Sequence, residues 1–438
     1  MMFFLQLSQF TLETPFAEVL VYIVIILFCA KLGAELLERI GQPAVIGELV
    51  AGVILGNLVL INPHMTFFEP LRREQLTSHP AIAVDTLAQI GIILLLFKAG
   101  LESSVSDMRK IGLSALFVAT AGVVAPFILG YLVSAIFITH VPVKILSMSP
   151  HFNLSYIHMF VGATLCATSV GITARVFNDM GKLQLIEARI ILGAAVIDDI
   201  LGLLVLSTVS GIVIAAESGT SMSPTEIIKL IGSALAFLVG SLIAGSIFVP
   251  RIMNIAARFR TRGLMLITSI LICFGLAALA SYIGLAPIVG AFAGGLILEE
   301  VHFKNFAGNL RIHDMIEPIT QLFVPIFFVL MGIQVHLEAF FTTSVIGVSA
   351  GLIVAAVIGK QVCGLAVFKR GIDRLTVGIG MIPRGEVGLI FAGIGRSLGV
   401  VDDSIFSAIV IMVMVTTFIT PPLLKFSISR SEKRALEI

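Results

Sequence analysis

The chain has 438 residues, 58% of them hydrophobic and 13% charged, and a mean hydropathy of +1.07. A soluble chain of this length would carry charge on roughly a quarter of its residues, so a water-soluble multidomain protein is excluded. At ~20 apolar residues per membrane-spanning helix, the apolar content supplies about a dozen spans. The net charge of +1 points to no class of partner, and no basic cluster with interleaved aromatics suggests nucleic acid. Cys29, Cys166, Cys273 and Cys363 lie in apolar runs without CxxC spacing and read as small packing residues. The N-terminal MMFFLQLSQF has no positive region and gives no expectation of a cleaved signal peptide.

Thirteen apolar segments follow one another, near 16–38, 43–61, 82–101, 111–138, 157–178, 187–215, 226–249, 263–283, 286–298, 316–335, 343–368, 374–398 and 403–426. Continuous runs of this length predict helices rather than alternating barrel strands. Of the 28 Lys and Arg residues, 19 fall in the loops after the odd-numbered spans, at the adjoining span ends or in the C-terminal tail. The opposite loops hold Arg72, Arg73, Lys144 and Arg396, and five lie within spans. Basic residues collect on the cytoplasmic side, so the N-terminus is expected outside and the C-terminus in the cytoplasm. The expected location is a prokaryotic inner membrane, with an internal membrane as the alternative.

A weak repeat runs through the chain. GELVAGVIL (47–55) matches GAFAGGLIL (290–298). Gln89 precedes Gly100 by the same eleven residues that separate Gln321 from Gly332, and SVGIT (169–173) matches EVGLI (386–390). These matches occur in the same order, which predicts two copies of six spans, with the second inverted by a single joining helix. The expected division is 1–215 for the first repeat (spans 1–6), 216–262 for the linking span 7 and its loop, 263–426 for the second inverted repeat (spans 8–13) and 427–438 for a short cytoplasmic tail. Inverted repeats around a midplane site are typical of secondary transporters.

Span 6 reads GAAVIDDILGLLVL, with Asp198 and Asp199 near its middle. Ionisable groups at that depth are costly and rarely kept without a role. Two adjacent carboxylates cannot both ionise there without a positive partner, which is the behaviour a site for either a small cation or protons requires. Lys360, about midway along span 11, is a candidate partner for either aspartate. Span 5 (GATLCATSVGITARVF) is rich in small and hydroxyl residues, among them Thr168 and Ser169. Its repeat partner, GIGMIPRGEVGLI, carries Pro383 and Gly385. The pattern predicts two interrupted, crossing helices whose free carbonyls and helix ends lie at the midplane. Glu386, paired with Arg175 or Arg384, is read as a brace for the two breaks. Glu48 has no partner evident in sequence, and the eight His residues are read as lying in loops or at span ends.

GELVAGVILG (47–56), LLLFKAGLE (94–102), GATLCATSVGITARVF (162–177), AAVIDDILGLLVL (194–206) and MIPRGEVGLI (381–390) together resemble the monovalent cation:proton antiporter-2 family. The resemblance covers essentially the whole chain. It implies a 13-helix inverted-repeat fold, a homodimer, and an elevator-like core moving against a dimerisation domain. It also implies that Asp199 is the essential carrier of cation and proton, and that Asp198 pairs with Lys360, as in electrogenic members. Asn57 stands where the family often has Pro, and Lys98 where an apolar residue is usual; both are read as peripheral.

The expectation is therefore an all-α polytopic membrane protein that exchanges sodium, or lithium, for protons by alternating access. Asp199 and Asp198 are expected to bind the sodium ion, with Thr168, Ser169 or neighbouring backbone carbonyls completing an all-oxygen set suited to a hard cation. No cofactor is expected; sodium and protons are cargo. The alternatives are a potassium/proton exchanger on the same scaffold and, further off, a sodium-coupled organic anion symporter. A channel has no need of a Lys–Asp latch, and no nucleophile–base set or metal-ligand cluster in the spans suggests an enzyme.

Overall fold

The computed structural model describes residues 15–72, 78–102, 113–141, 153–182, 185–217, 224–258, 263–298, 312–338, 343–368 and 372–436. In chain order the helices are α1 (Pro15–Arg39), α2 (Ala44–Gly56), α3 (Leu58–Ile61), α4 (Glu69–Arg72), α5 (His79–Glu102), α6 (Leu113–Phe137), α7 (Leu154–Thr164), α8 (Val170–Asp179) and α9 (Ile186–Glu217). They continue with α10 (Pro224–Arg258), α11 (Leu264–Tyr282), α12 (Pro287–Ile297), α13 (Ile312–Ile333), α14 (Thr343–Leu365), α15 (Arg374–Gly380), α16 (Glu386–Ser397) and α17 (Asp403–Leu436). Among the described residues, nine helices are long and apolar enough to cross a membrane, and three shorter apolar helices accompany them. All regular structure among these residues is helical, as expected where lipid offers the backbone no hydrogen bonds.

Each of the thirteen apolar segments carries helix, but three are not continuous. The segment 43–61 stops at Gly56 and resumes at Leu58. The segment 157–178 divides into α7 and α8, and 374–398 into α15 and α16.

One compact unit consists of α1–α5 and α10–α13. Two pairs of helices meet backbone to backbone at glycines. A Cβ on Gly52 of α2 would lie 2.1 Å from the Val329 carbonyl oxygen of α13, and one on Gly332 would lie 2.2 Å from that of Leu49. On α5 and α12, a Cβ on Gly100 would lie 2.2 Å from the Phe292 oxygen, and one on Gly295 2.1 Å from that of Phe97. Only glycine permits such approach, which supplies helix–helix contact where lipid removes the hydrophobic drive.

Asn57 is not peripheral. It is buried, and its Nδ2 donates to Val53 O and Val335 O, each at 2.8 Å. Its Oδ1 accepts from Arg72 Nη2 at 3.0 Å. One amide thereby caps the C-terminal ends of α2 and α13 and anchors a buried guanidinium, which Pro could not do. Lys98 is likewise engaged: its Nζ forms an ion pair with Glu317 of α13, whose other oxygen accepts from Gln321 at 3.0 Å.

The other compact unit consists of α6–α9 and α14–α17. Its apolar interior includes Ala119, Phe177, Ile191, Cys363, Met381 and Leu424. His158 lies inside α7 rather than at a span end: it is buried, with Nδ1 2.8 Å from Ser134 Oγ and its ring edge-on to Tyr131.

Candidate cation and proton site

The site residues gather where the two helix breaks face each other within the second unit. In the first break, α7 ends at Thr164 and α8 begins at Val170. Ser and Thr hydroxyls here compete for backbone groups, which favours ending the helix. In the second, Pro383 supplies no N–H and Gly385 serves as N-cap of α16, so α15 ends at Gly380. The breaks are stitched together. Ser169 N donates to Pro383 O at 2.8 Å, and Thr173 Oγ1 to Gly380 O at 2.7 Å. Thr168 Oγ1 reaches Met381 O at 3.5 Å. A Cβ on Gly385 would lie 2.5 Å from Ser169 Oγ, so the hydroxyl occupies space that only glycine leaves open.

Two cationic side chains complete the junction. Lys360 Nζ donates to Cys166 O at 2.8 Å and lies 3.0 Å from Asp198 Oδ1 and 3.2 Å from Oδ2. Both side chains are wholly buried. Arg384, also wholly buried, donates through Nη1 to Ala167 O. Thr417 of α17 donates to the Arg384 carbonyl. Two carbonyls of the break, just beyond the C-terminal end of α7, thus face two positive charges, a sign that also suits a helix C-terminus. The Cys166 and Ala167 oxygens, two of the carbonyls expected to complete a cation shell, are here occupied by Lys360 and Arg384.

Of the two aspartates, the one that meets Lys360 is Asp198. Asp199, half-buried, follows it on α9, so its side chain points about 100° further round the helix. Gly202, three residues on, faces the first break: a Cβ there would lie 3.8 Å from Ala167 Cβ and from Phe391 Cζ of α16. Residues three apart share a helix face, so Asp199 and the break lie on one side of α9. Thr168 and Ser169 are both buried in that break. The side chains of Glu386 and Arg175, read as a brace, lie outside the described residues. Sequence reasoning missed the Lys360–Cys166 and Arg384–Ala167 bonds, because a carbonyl acceptor leaves no mark in sequence.

A buried Lys–Asp pair beside a second carboxylate, set between two interrupted helices, belongs with membrane ion carriers. Comparison with known proteins takes this further. The sequence pattern of the transmembrane sodium/hydrogen exchanger family matches residues 23–427, and the chain belongs to that family, one of transporters rather than enzymes. It is 36% identical over 435 residues to the high-affinity Na(+)/H(+) antiporter NhaS3 of Synechocystis sp., covering 93% of this chain and 89% of that one. To the Na(+)/H(+)-K(+) antiporter GerN of Bacillus cereus it is 33% identical over 416 residues, covering 94% and 96%. The structure of the sodium proton antiporter MjNhaP1 from Methanocaldococcus jannaschii superimposes with a TM-score of 0.63 at 17% identity, covering 97% and 98%. That likeness shows a shared fold.

Proposed function

We propose that this protein is a sodium/proton antiporter that also accepts lithium. The observation that carries the reading is the wholly buried Lys360–Asp198 pair, next in sequence to Asp199 and held against the break between α7 and α8. Asp199 takes a proton or a cation in competition. Asp198 shares the cation, and Lys360 holds Asp198 when the cation is absent. Thr168 and Ser169 contribute hydroxyl oxygens. Arg384 braces the break, with Glu386 and Arg175 assigned the same structural or gating role. These groups all lie in one compact unit, which supports an elevator-like step in which that unit carries the site as a body. A homodimer, a monovalent cation and protons as cargo, and no resident cofactor complete the reading.

The thirteen-span inverted repeat belongs to this proposal, with divisions at 1–215, 216–262, 263–426 and 427–438. The glycine contacts support it. In the repeat register Gly52 corresponds to Gly295 and Gly332 to Gly100, and the Gly52–Gly332 approach has its counterpart in Gly295–Gly100. The orientation, N-terminus outside and C-terminus in the cytoplasm of a prokaryotic cell, rests on the basic residues. Single cysteines at His64 and Ser431 are expected to react with an impermeant thiol reagent from opposite sides of the membrane, His64 from outside. Labelling of both from one side would remove the inverted repeat.

One observation favours a second reading, potassium/proton exchange: the relative GerN is named for potassium as well as sodium. Oxygen ligands do not by themselves separate the two ions, because the size of the cavity does. Purified protein in liposomes with an imposed proton gradient decides the matter. Sodium and lithium should dissipate the gradient at low concentration and potassium only at much higher concentration. Equal responses to all three would replace the sodium reading with a general alkali-cation exchanger, and no response to any would remove the antiport reading.

A further inference from the structure

We infer that Gly122 of α6 is a positioning residue for the Lys360–Asp198 latch and thereby sets how strongly the site prefers its cation-free form. The inference rests on the antiport reading above and adds a residue to it.

Gly122 stands opposite the latch, on a helix that packs along both α9 and α14. A Cβ built on it would lie 3.1 Å from Asp198 Oδ1, 3.1 Å from Lys360 Nζ and 3.0 Å from Cys363 Sγ. Its backbone therefore forms the wall against which ammonium and carboxylate are pressed together. Such separations are tighter than ordinary van der Waals contact of a methyl, so one of the three neighbours must yield. Lys360 Nζ is the far end of a flexible chain, whereas Asp198 has a single short stem and Cys363 is packed in the core. A methyl group at 122 therefore displaces the ammonium first. The Lys360 to Asp198 contacts, 3.0 and 3.2 Å in the native protein, lengthen. With the latch loosened, sodium competes against a weaker internal cation for Asp198.

A second tight glycine on the same helix separates this role from packing in general. A Cβ on Gly130, more than two turns along α6, would lie 3.0 Å from Gly162 Cα and 3.2 Å from Leu165 Cδ2, with no charged group among its nearest contacts. Gly122→Ala and Gly130→Ala both insert a methyl into a close helix contact, but only the first touches the ion pair.

The test measures sodium-dependent proton exchange in liposomes for the native protein, Gly122→Ala, Gly130→Ala, Lys360→Gln, and each alanine variant combined with Lys360→Gln. Gly122→Ala is expected to lower the apparent KM for sodium by about threefold or more, an effect of the size seen for directly interacting groups, whatever happens to kcat. Gly130→Ala should leave KM within about twofold of native. In the Lys360→Gln background Gly122→Ala should lose most of its effect on KM, because the group it displaces is gone. Should Gly122→Ala not be recovered folded, its combination with Lys360→Ala, which vacates the space, is expected to be as stable as Lys360→Ala alone. Equal KM effects of the two glycine substitutions, full additivity with Lys360→Gln, or loss of fold in both Gly122→Ala backgrounds would overturn the assignment of Gly122. A Lys360→Gln variant with native KM, kcat and response to potential would instead overturn the latch reading beneath it.

Discussion

Asp199→Asn is expected to reduce exchange to the level of empty liposomes while leaving the protein folded. A carboxylate offers this site three states: neutral with a proton, charged and bound to a cation, or charged and empty. Exchange requires alternation between the first two. An amide is neutral in every state and has no proton to release at physiological pH, so the coupling has nothing to act through. Its shape is nearly that of the acid, so packing around α9 changes little. The position is also the cleaner of the two aspartates to test. Asp198 is held by Lys360 at 3.0 Å with both side chains wholly buried. Neutralising Asp198 leaves an uncompensated ammonium, which in buried pairs costs about 3–5 kcal/mol, and loss of activity there is confounded with loss of fold. The carboxylate that Lys360 meets is Asp198. The measurement is proton flux on sodium addition, with the thermal transition in detergent as the fold control. Near-native exchange by a folded Asp199→Asn protein would remove Asp199 from the mechanism.

Much of this structure was legible because lipid simplifies the code. Apolar runs mark helices where the backbone has no other solvent, and every marked segment carries helix. The break between α15 and α16 announced itself through Pro383 and Gly385, which act on the backbone directly. The break between α7 and α8 was fainter: small and hydroxyl residues such as Thr168 and Ser169 also suit a packing face, and bonds such as Ser169 N to Pro383 O and Thr173 Oγ1 to Gly380 O mark the interruption. The sequence left Lys360 a choice between adjacent aspartates, because neighbours on a helix point about 100° apart and the sequence does not say which direction faces span 11. Asn57 was misjudged because its importance lies in the carbonyls of Val53 and Val335 and in distant Arg72. His158 was misplaced by a boundary: the segment was taken to begin at 157, and the helix begins at Leu154. Gly122 carried no signal at all, since a glycine in a Gly-rich apolar span looks the same whether it faces lipid or an ion pair.

Transport by the native protein is expected to respond to an imposed membrane potential, and Lys360→Gln is expected to weaken that response or transport as a whole. Take the proton-loaded site to hold neutral Asp199 and an ionised Asp198–Lys360 pair, with net charge zero. When sodium binds, both carboxylates are ionised, and Lys360, deprived of its partner, releases its proton. The aspartates then contribute −2 and sodium +1, leaving −1. One cycle exchanges two protons for one sodium and moves one net charge. Each elementary charge couples to the potential at roughly 2.3 kcal/mol per 100 mV, which at about 1.4 kcal/mol per decade sustains roughly a forty-fold sodium gradient. Arg384 does not change this count, since a guanidinium keeps its charge in both states; its Nη1 donates to Ala167 O. The structure adds a link: the Lys360 nitrogen that holds Asp198 also donates to Cys166 O, so the carboxylate and the break after α7 share one partner. Gln, which cannot carry the charge, removes the proton that Lys360 would release. The measurement is sodium flux in liposomes clamped at several potassium–valinomycin potentials, with the pH and sodium gradients fixed. Native flux that ignores the potential would mean one proton per sodium, and Lys360 would then be a permanent brace between α14, α9 and the end of α7 rather than a participant in the cycle.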